Sequence, residues 1–310
     1  MTAPQPATRL PQPPPPPRRP APPRPATAAV RPSARRRSPR ARGPVAGLLS
    51  WLYALVLAAP LYYLVVSALK TNIEIFTHPF ALPEHWLWRN FSTAWRTADL
   101  GQALLNSALI SAVAIVLTLG LALPAAYALA RLDNRLARLI TGTFSVGFLI
   151  PPFAALIPTV VLSIKMNLFY TREFQMLFLP AGALPLSVLL LTQFMRTVPP
   201  ALVESAALDG AGNWRLLVNV FIPIAMPGVV SVTILQLLAF WNEYLFSLTI
   251  TGTAPDIRTA QVALPTLVSD ATDFGVLTAG TVLTLLPVYV AYSLSSRRMQ
   301  EALTAGAVKG

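Results

Sequence analysis

The chain contains no cysteine, only two histidines and only 12 acidic residues among 310. Without cysteine there is no disulfide, iron–sulfur cluster or thiolate metal site. The histidines, His78 and His85, lie among proline and tryptophan and read as loop residues rather than a metal pair. HExxH, GxSxG, GxxxxGK[ST] and GxGxxG are all missing. So are paired carboxylates at helical spacing inside an apolar run, which a proton relay or an intramembrane hydrolase would need. Work done by such a chain must draw its energy from another subunit.

Charge is scarce as well: 12% of residues are charged and 54% hydrophobic, and the mean hydropathy is +0.57. Water-soluble domains carry about 25% charged residues, so lipid is the natural solvent here. The net charge of +12 is local. Residues 1–44 hold ten Arg and no Lys, Asp or Glu; elsewhere 14 basic residues face 12 acidic ones. A nucleic-acid partner therefore has no support.

The first 44 residues are low in complexity, rich in Pro, Ala and Arg, and include the run Pro13 to Pro17. Too little apolar surface is available there to offset the entropy of ordering, which predicts a disordered tail that can lie on anionic lipid headgroups. Beyond it come six apolar stretches, about 45–68, 104–130, 139–164, 174–195, 221–248 and 275–294. Each has about the 20 residues a helix needs to cross a hydrocarbon core. With no period-2 alternation, the expectation is an all-α, polytopic membrane protein of about six transmembrane helices. Interior prolines such as Pro124, Pro180, Pro227 and Pro287 fit that setting, where neighbouring helices re-satisfy freed carbonyls.

Sidedness follows from the basic residues. With the N-terminus inside, the inner segments hold 18 Lys and Arg and the outer loops hold 6. Arg131, Arg135, Arg138, Arg297 and Arg298 support this independently of the tail. Both termini are expected in the cytoplasm.

The inner segment 196–220 reads as helix, turn, helix. Pro199 and Pro200 precede a short helix with Glu204 in its first turn. Gly210 supplies a left-handed stop. Asn213 caps a second helix, and Pro223 opens the next span. Such a bracket is suited to docking.

These residues resemble the cytoplasmic signature of binding-protein-dependent ABC importer permeases, E-A-A-x-x-x-G, nine residues, then I-x-L-P. Glu204, Ala206 and Gly210 match, and Val220, Ile222 and Pro223 follow at the family spacing, while Ser205 replaces the first alanine. The resemblance covers nearly all of 45–310 and is nearest to the carbohydrate branch, in particular the maltose-type second permease subunit. It extends to Asn106-Ser107, Ala126 to Arg131, Leu156-Ile157-Pro158, Trp241 to Tyr244 and the terminal Gly306 to Gly310.

The resemblance implies a type I ABC importer permease fold and alternating access across a bacterial plasma (inner) membrane. It implies a second homologous permease, two copies of an ATPase subunit, an extracytoplasmic solute-binding protein, and a di- or oligosaccharide as substrate. The chain itself would be no enzyme and hold no cofactor; ATP would be used by the ATPase. Glu204, Ser205, Ala206, Asp209, Gly210 and Pro223 would form the ATPase-docking site. Lys309 and Gly310 are a further candidate ATPase contact. Trp241, Asn242, Glu243 and Tyr244 are candidates for the substrate pathway, with Glu243 inside the fifth span. An interfacial belt of Trp241 and Tyr244 with a snorkelling Glu243 is the alternative there. A permease of the same class for a non-sugar solute is the alternative, and a secondary transporter ranks below it.

Overall fold

The computed structural model describes residues 44–269 and 271–307, with side chains from 46 to 293. The tail 1–43 and the candidate contacts Lys309 and Gly310 lie outside the described residues. The chain divides at Ala54. Of the first unit, Met1–Ala54, only residues 44–54 are described, and all packing below lies within the second, Leu55–Gly310. No strand occurs among the described residues.

Long apolar helices make the frame: α1 (Pro44–Ser67), α4 (Leu100–Arg131), α7 (Arg172–Met195), α10 (Ile222–Trp241) and α13 (Phe274–Ala307). Five segments are long and apolar enough to cross a membrane: Ala46–Ser67, Leu100–Arg131, Arg172–Met195, Asn213–Trp241 and Phe274–Ser293. Short helices fill the connections: α2 (Asn72–Thr77), α3 (Arg89–Thr97), α8 (Pro200–Leu208), α9 (Asn213–Leu216), α11 (Leu245–Thr251) and α12 (Ala260–Ala263).

The third apolar stretch departs from the single straight span expected over 139–164. It forms α5 (Arg135–Leu149) and, after a 3₁₀ turn at Pro152–Ala155, α6 (Leu156–Lys165). The pair is bent by 92° and counts as a sixth span only if taken together. Pro151 and Pro152 supply no N–H and force the preceding residues extended, so the helix stops at Leu149. The fifth stretch, expected over 221–248, also differs. Its long helix ends at Trp241, and the chain restarts as α11.

α4 and α7 pack side by side, and α10 closes on both and on α13. Contact is close because the facing residues are small. A Cβ on Gly228 of α10 would stand 2.3 Å from the Phe194 ring of α7. Ala114, Ala122 and Ala126 of α4 are fully buried, as expected where backbones approach without a hydrophobic drive from water. Between α7 and α10, the Gln236 amide donates to the buried Ser187 hydroxyl at 3.0 Å.

Candidate functional site

The bracket is built from α8 and α9. Pro199 is extended and Pro200 is the first helical residue of α8, where its missing N–H leaves nothing unsatisfied. Glu204 lies in the second turn, not the first as expected, because the helix starts at Pro200. The C-terminus is a Schellman stop. Gly210 N–H donates to Ala207 O at 3.0 Å and Ala211 N–H to Ala206 O at 3.0 Å. Gly210 has a φ of +78°, and a Cβ there would touch nothing; glycine is needed for its torsion alone.

The two faces of α8 differ. Val203 and Ala206, with Ala211 beyond the stop, pack on a cluster that includes Tyr127, Leu129, Met195, Val198 and Phe221. Glu204, Ser205 and Asp209 are exposed, and Leu208 is 89% exposed. Ala206 is thus small for this chain's own packing, while Ser205 points away from it.

Asn213 does not cap α9 as expected. It is the first helical residue, and no side-chain cap forms at Gly212. Its amide oxygen instead accepts from the Tyr127 hydroxyl and the Arg131 guanidinium, each at 3.2 Å. Arg131 also stacks over the Tyr127 ring, 5.4 Å from its centroid. The bracket is therefore tied to the last turn of α4. Tyr127 and Arg131 sit in the matched stretch 126–131; their role in this tie depends on a long-range contact that spacing does not reveal. Residues 217–221 form a π-turn joining α9 to α10, with Ile222 N–H donating to Leu217 O. Pro223 explains it: the ring lacks an N–H and crowds the carbonyl four residues back, and the wider turn relieves both.

At the opposite end of the frame the expected pathway residues divide. Trp241 is 5% exposed and donates its indole N–H to Thr284 O of α13 at 3.2 Å, a core role. With Ser111 and Pro287 it lines an apolar cavity of about 230 Å³. Asn242 is exposed, and its amide oxygen accepts from Gln261 at 3.3 Å. Glu243 is not inside a span: it sits in the break after Trp241. Its carboxylate accepts from Phe246 N–H at 2.7 Å, Ser247 N–H at 2.8 Å and the Ser247 hydroxyl at 2.6 Å. Those groups are the free donors at the start of α11, and they make the charge tolerable there. Tyr244 is 40% exposed.

A polar knot at this end went unforeseen. The Asn106 amide donates to Asp256 O and Arg258 O, and its oxygen accepts from Gln102 and Arg172. Arg258, 6% exposed, donates to Ala98 O and Thr253 O. One asparagine thus joins α4, the start of α7 and the 253–260 loop.

Residues 119–306 match the sequence family described as binding-protein-dependent transport system inner membrane component. The chain belongs to that family. The match includes the bracket, the π-turn and Pro223. This permease is 31% identical over 87% of its length to a diacetylchitobiose uptake system permease protein of Streptomyces coelicolor, covering 90% of that protein. It is 29% identical to a probable starch degradation products transport system permease protein of Thermoanaerobacterium thermosulfurigenes, over 84% of this chain and 95% of that one. The fold matches a chain in the crystal structure of a bacterial ABC transporter involved in import of the acidic polysaccharide alginate. There the TM-score is 0.70 at 19% identity, over 82% of this permease and 94% of that chain. The permease is therefore an all-α polytopic membrane protein with the ABC importer permease fold.

Proposed function

We propose that this permease is the pore subunit of an ATP-driven, binding-protein-dependent importer that moves a di- or oligosaccharide inward by alternating access. The observation that carries the mechanism is the two-faced helix α8. One face is packed onto the core through Val203 and Ala206, and the other leaves Glu204, Ser205 and Leu208 unpartnered by apolar packing. An ATPase that grips the exposed face would move α4, α7 and α10 as one body. ATP would be used by that ATPase and not by this chain. A sugar is supported by the names of the relatives, which handle diacetylchitobiose and starch degradation products. Asn242 and Tyr244 keep exposed surface for such a solute, Glu243 orients their segment, and Trp241 serves the core.

The bracket faces the cytoplasm in this reading, because Arg131, Arg135 and Arg138 gather at its end of α4 and α5. Two copies of the ATPase, a second permease and a solute-binding protein complete the assembly in the plasma membrane. Affinity purification of the full chain from its native membrane tests this reading. An ATPase and a second permease should co-purify, and hydrolysis should rise with sugar-loaded binding protein. Uptake that persists with no ATPase in the complex would overturn it.

A further inference from the structure

The connection between α1 and α4 keeps much apolar surface exposed, although Phe76 meets Phe274 and Trp88 meets Phe91. Ile73, Phe76, Phe80, Leu82, Trp86 and Trp88 are between 53% and 76% exposed. Apolar display of this extent on a water-facing loop would be costly, and exposed apolar patches mark interaction surfaces.

The loop is nonetheless tightly built. Lys70, 1% exposed, donates its ammonium to His78 O at 2.7 Å and Pro79 O at 3.4 Å. Glu74 closes a capping box with Thr71 and also accepts from Glu84 N–H at 2.9 Å. These groups gather round a cleft of about 250 Å³ lined by Lys70, Glu74, His78 and Glu84 together with Ala81 and Leu82.

The decisive geometry is depth. After α2 the chain folds back along α1. The Tyr62 hydroxyl donates to Phe80 O at 3.0 Å, and the Tyr63 and Phe80 rings are 5.8 Å apart. Tyr62 lies five positions before the end of the membrane-length segment Ala46–Ser67, about 7 Å along the helix axis. Phe80 is therefore held beside the last two turns of that helix. Trp86 and Trp88 follow, with their rings stacked 6.2 Å apart. Their indoles have the apolar body and polar edge that favour the headgroup zone.

We propose that residues 73–88 are an interfacial membrane anchor, held in the leaflet at the end opposite the bracket. Phe76 and Phe80 enter the acyl boundary, Trp86 and Trp88 lie among headgroups, and the Lys70–Glu74–Glu84 cleft faces water. The occupant is lipid because the patch is continuous with the outer part of a lipid-spanning helix. This holds whatever solute the permease carries.

The chain has no cysteine, so single-cysteine spin labelling needs no background substitutions. Phe76→Cys, Phe80→Cys and Trp88→Cys would be labelled in the full chain with its co-purifying subunits in liposomes, with Glu84→Cys as the aqueous reference. The Tyr62 bond goes to the Phe80 main chain, so side-chain replacement leaves it intact. Ile73→Cys, at a position 76% exposed, repeats the readout if Phe80→Cys lowers membrane levels. Oxygen accessibility relative to that of a water-soluble nickel chelate should be several-fold higher at 76 and 80 than at 84, with 88 between. High nickel accessibility at every site would overturn the anchor in favour of a solvated loop. Low accessibility to both reagents at 76 and 80 would overturn it in favour of a protein partner.

Discussion

The two ends of the molecule share apolar packing and differ in how many polar ties are added to it. At the bracket end, α8 and α9 join the helical frame mainly through apolar packing around Tyr127, Met195, Leu216 and Phe221. At the opposite end apolar clusters around Leu100, Ala263 and Ile250 are joined by many polar ties: Asn106, Arg258, Lys70, Asn90 and Glu243 all bond to backbone groups. Apolar packing is dense and deforms little, so it transmits displacement. Hydrogen bonds to carbonyls can be exchanged for water at small net cost. A rigid end suited to receiving force and a re-bondable end suited to opening are what the proposed transport cycle requires.

The largest expected effect strikes the polar end. Asn106→Leu deletes four hydrogen bonds and strands buried carbonyls and the Arg172 guanidinium. The cost is about 3 kcal/mol. Amide exchange should accelerate over residues 253–260 and stay unchanged over 200–221. Equal acceleration at both ends would mean that the two are one cooperative unit. Ala206→Asp should do the converse, costing about 2 kcal/mol by setting a carboxyl against the apolar cluster. Exchange over 200–216 should rise while the opposite end holds.

The contrast also explains what could be read in the sequence. The bracket was legible because its parts are local: a proline start, a glycine stop and a fixed spacing to Pro223. Long apolar runs announced the helices by length alone. The polar knot was not legible, since Asn106 meets Asp256 and Arg258 some 150 residues away. Glu243 was misjudged for a related reason. The apolar stretch read over 221–248 passes across Asn242 and Glu243, and it is at this polar pair that the helix ends, after Trp241. The 92° bend at Pro151-Pro152 was hidden likewise, because prolines elsewhere in the chain, such as Pro124 and Pro180, sit inside continuous helices.

Smaller effects sharpen the comparison. Gly210→Val should cost about 1–2 kcal/mol through its left-handed torsion, and Gly210→Asn distinctly less, since open space surrounds the site. Thermal melting of the assembled complex would rank them. The backbone N–H groups of Thr71 and Glu84 hold the Glu74 carboxyl below its ordinary value. Its contribution is present above the ordinary glutamate range and is lost as pH falls through the lowered folded value. Proteolysis within 71–84 should therefore begin only in acid, and Glu74→Gln should shift that onset upward. Ser205→Ala should change stability by less than about 0.5 kcal/mol, because Ser205 faces outward.

The central claim is that the exposed face of α8 is gripped by an ATPase, and cross-linking tests it most directly. Leu208→Cys, at a position 89% exposed on that helix, would carry a short photo-activatable reagent in the full complex. The account predicts an adduct with the ATPase subunit whose yield changes between nucleotide-free and ATP-trapped states. An actively transporting complex that gives no ATPase adduct from Leu208→Cys or Ser205→Cys would contradict it.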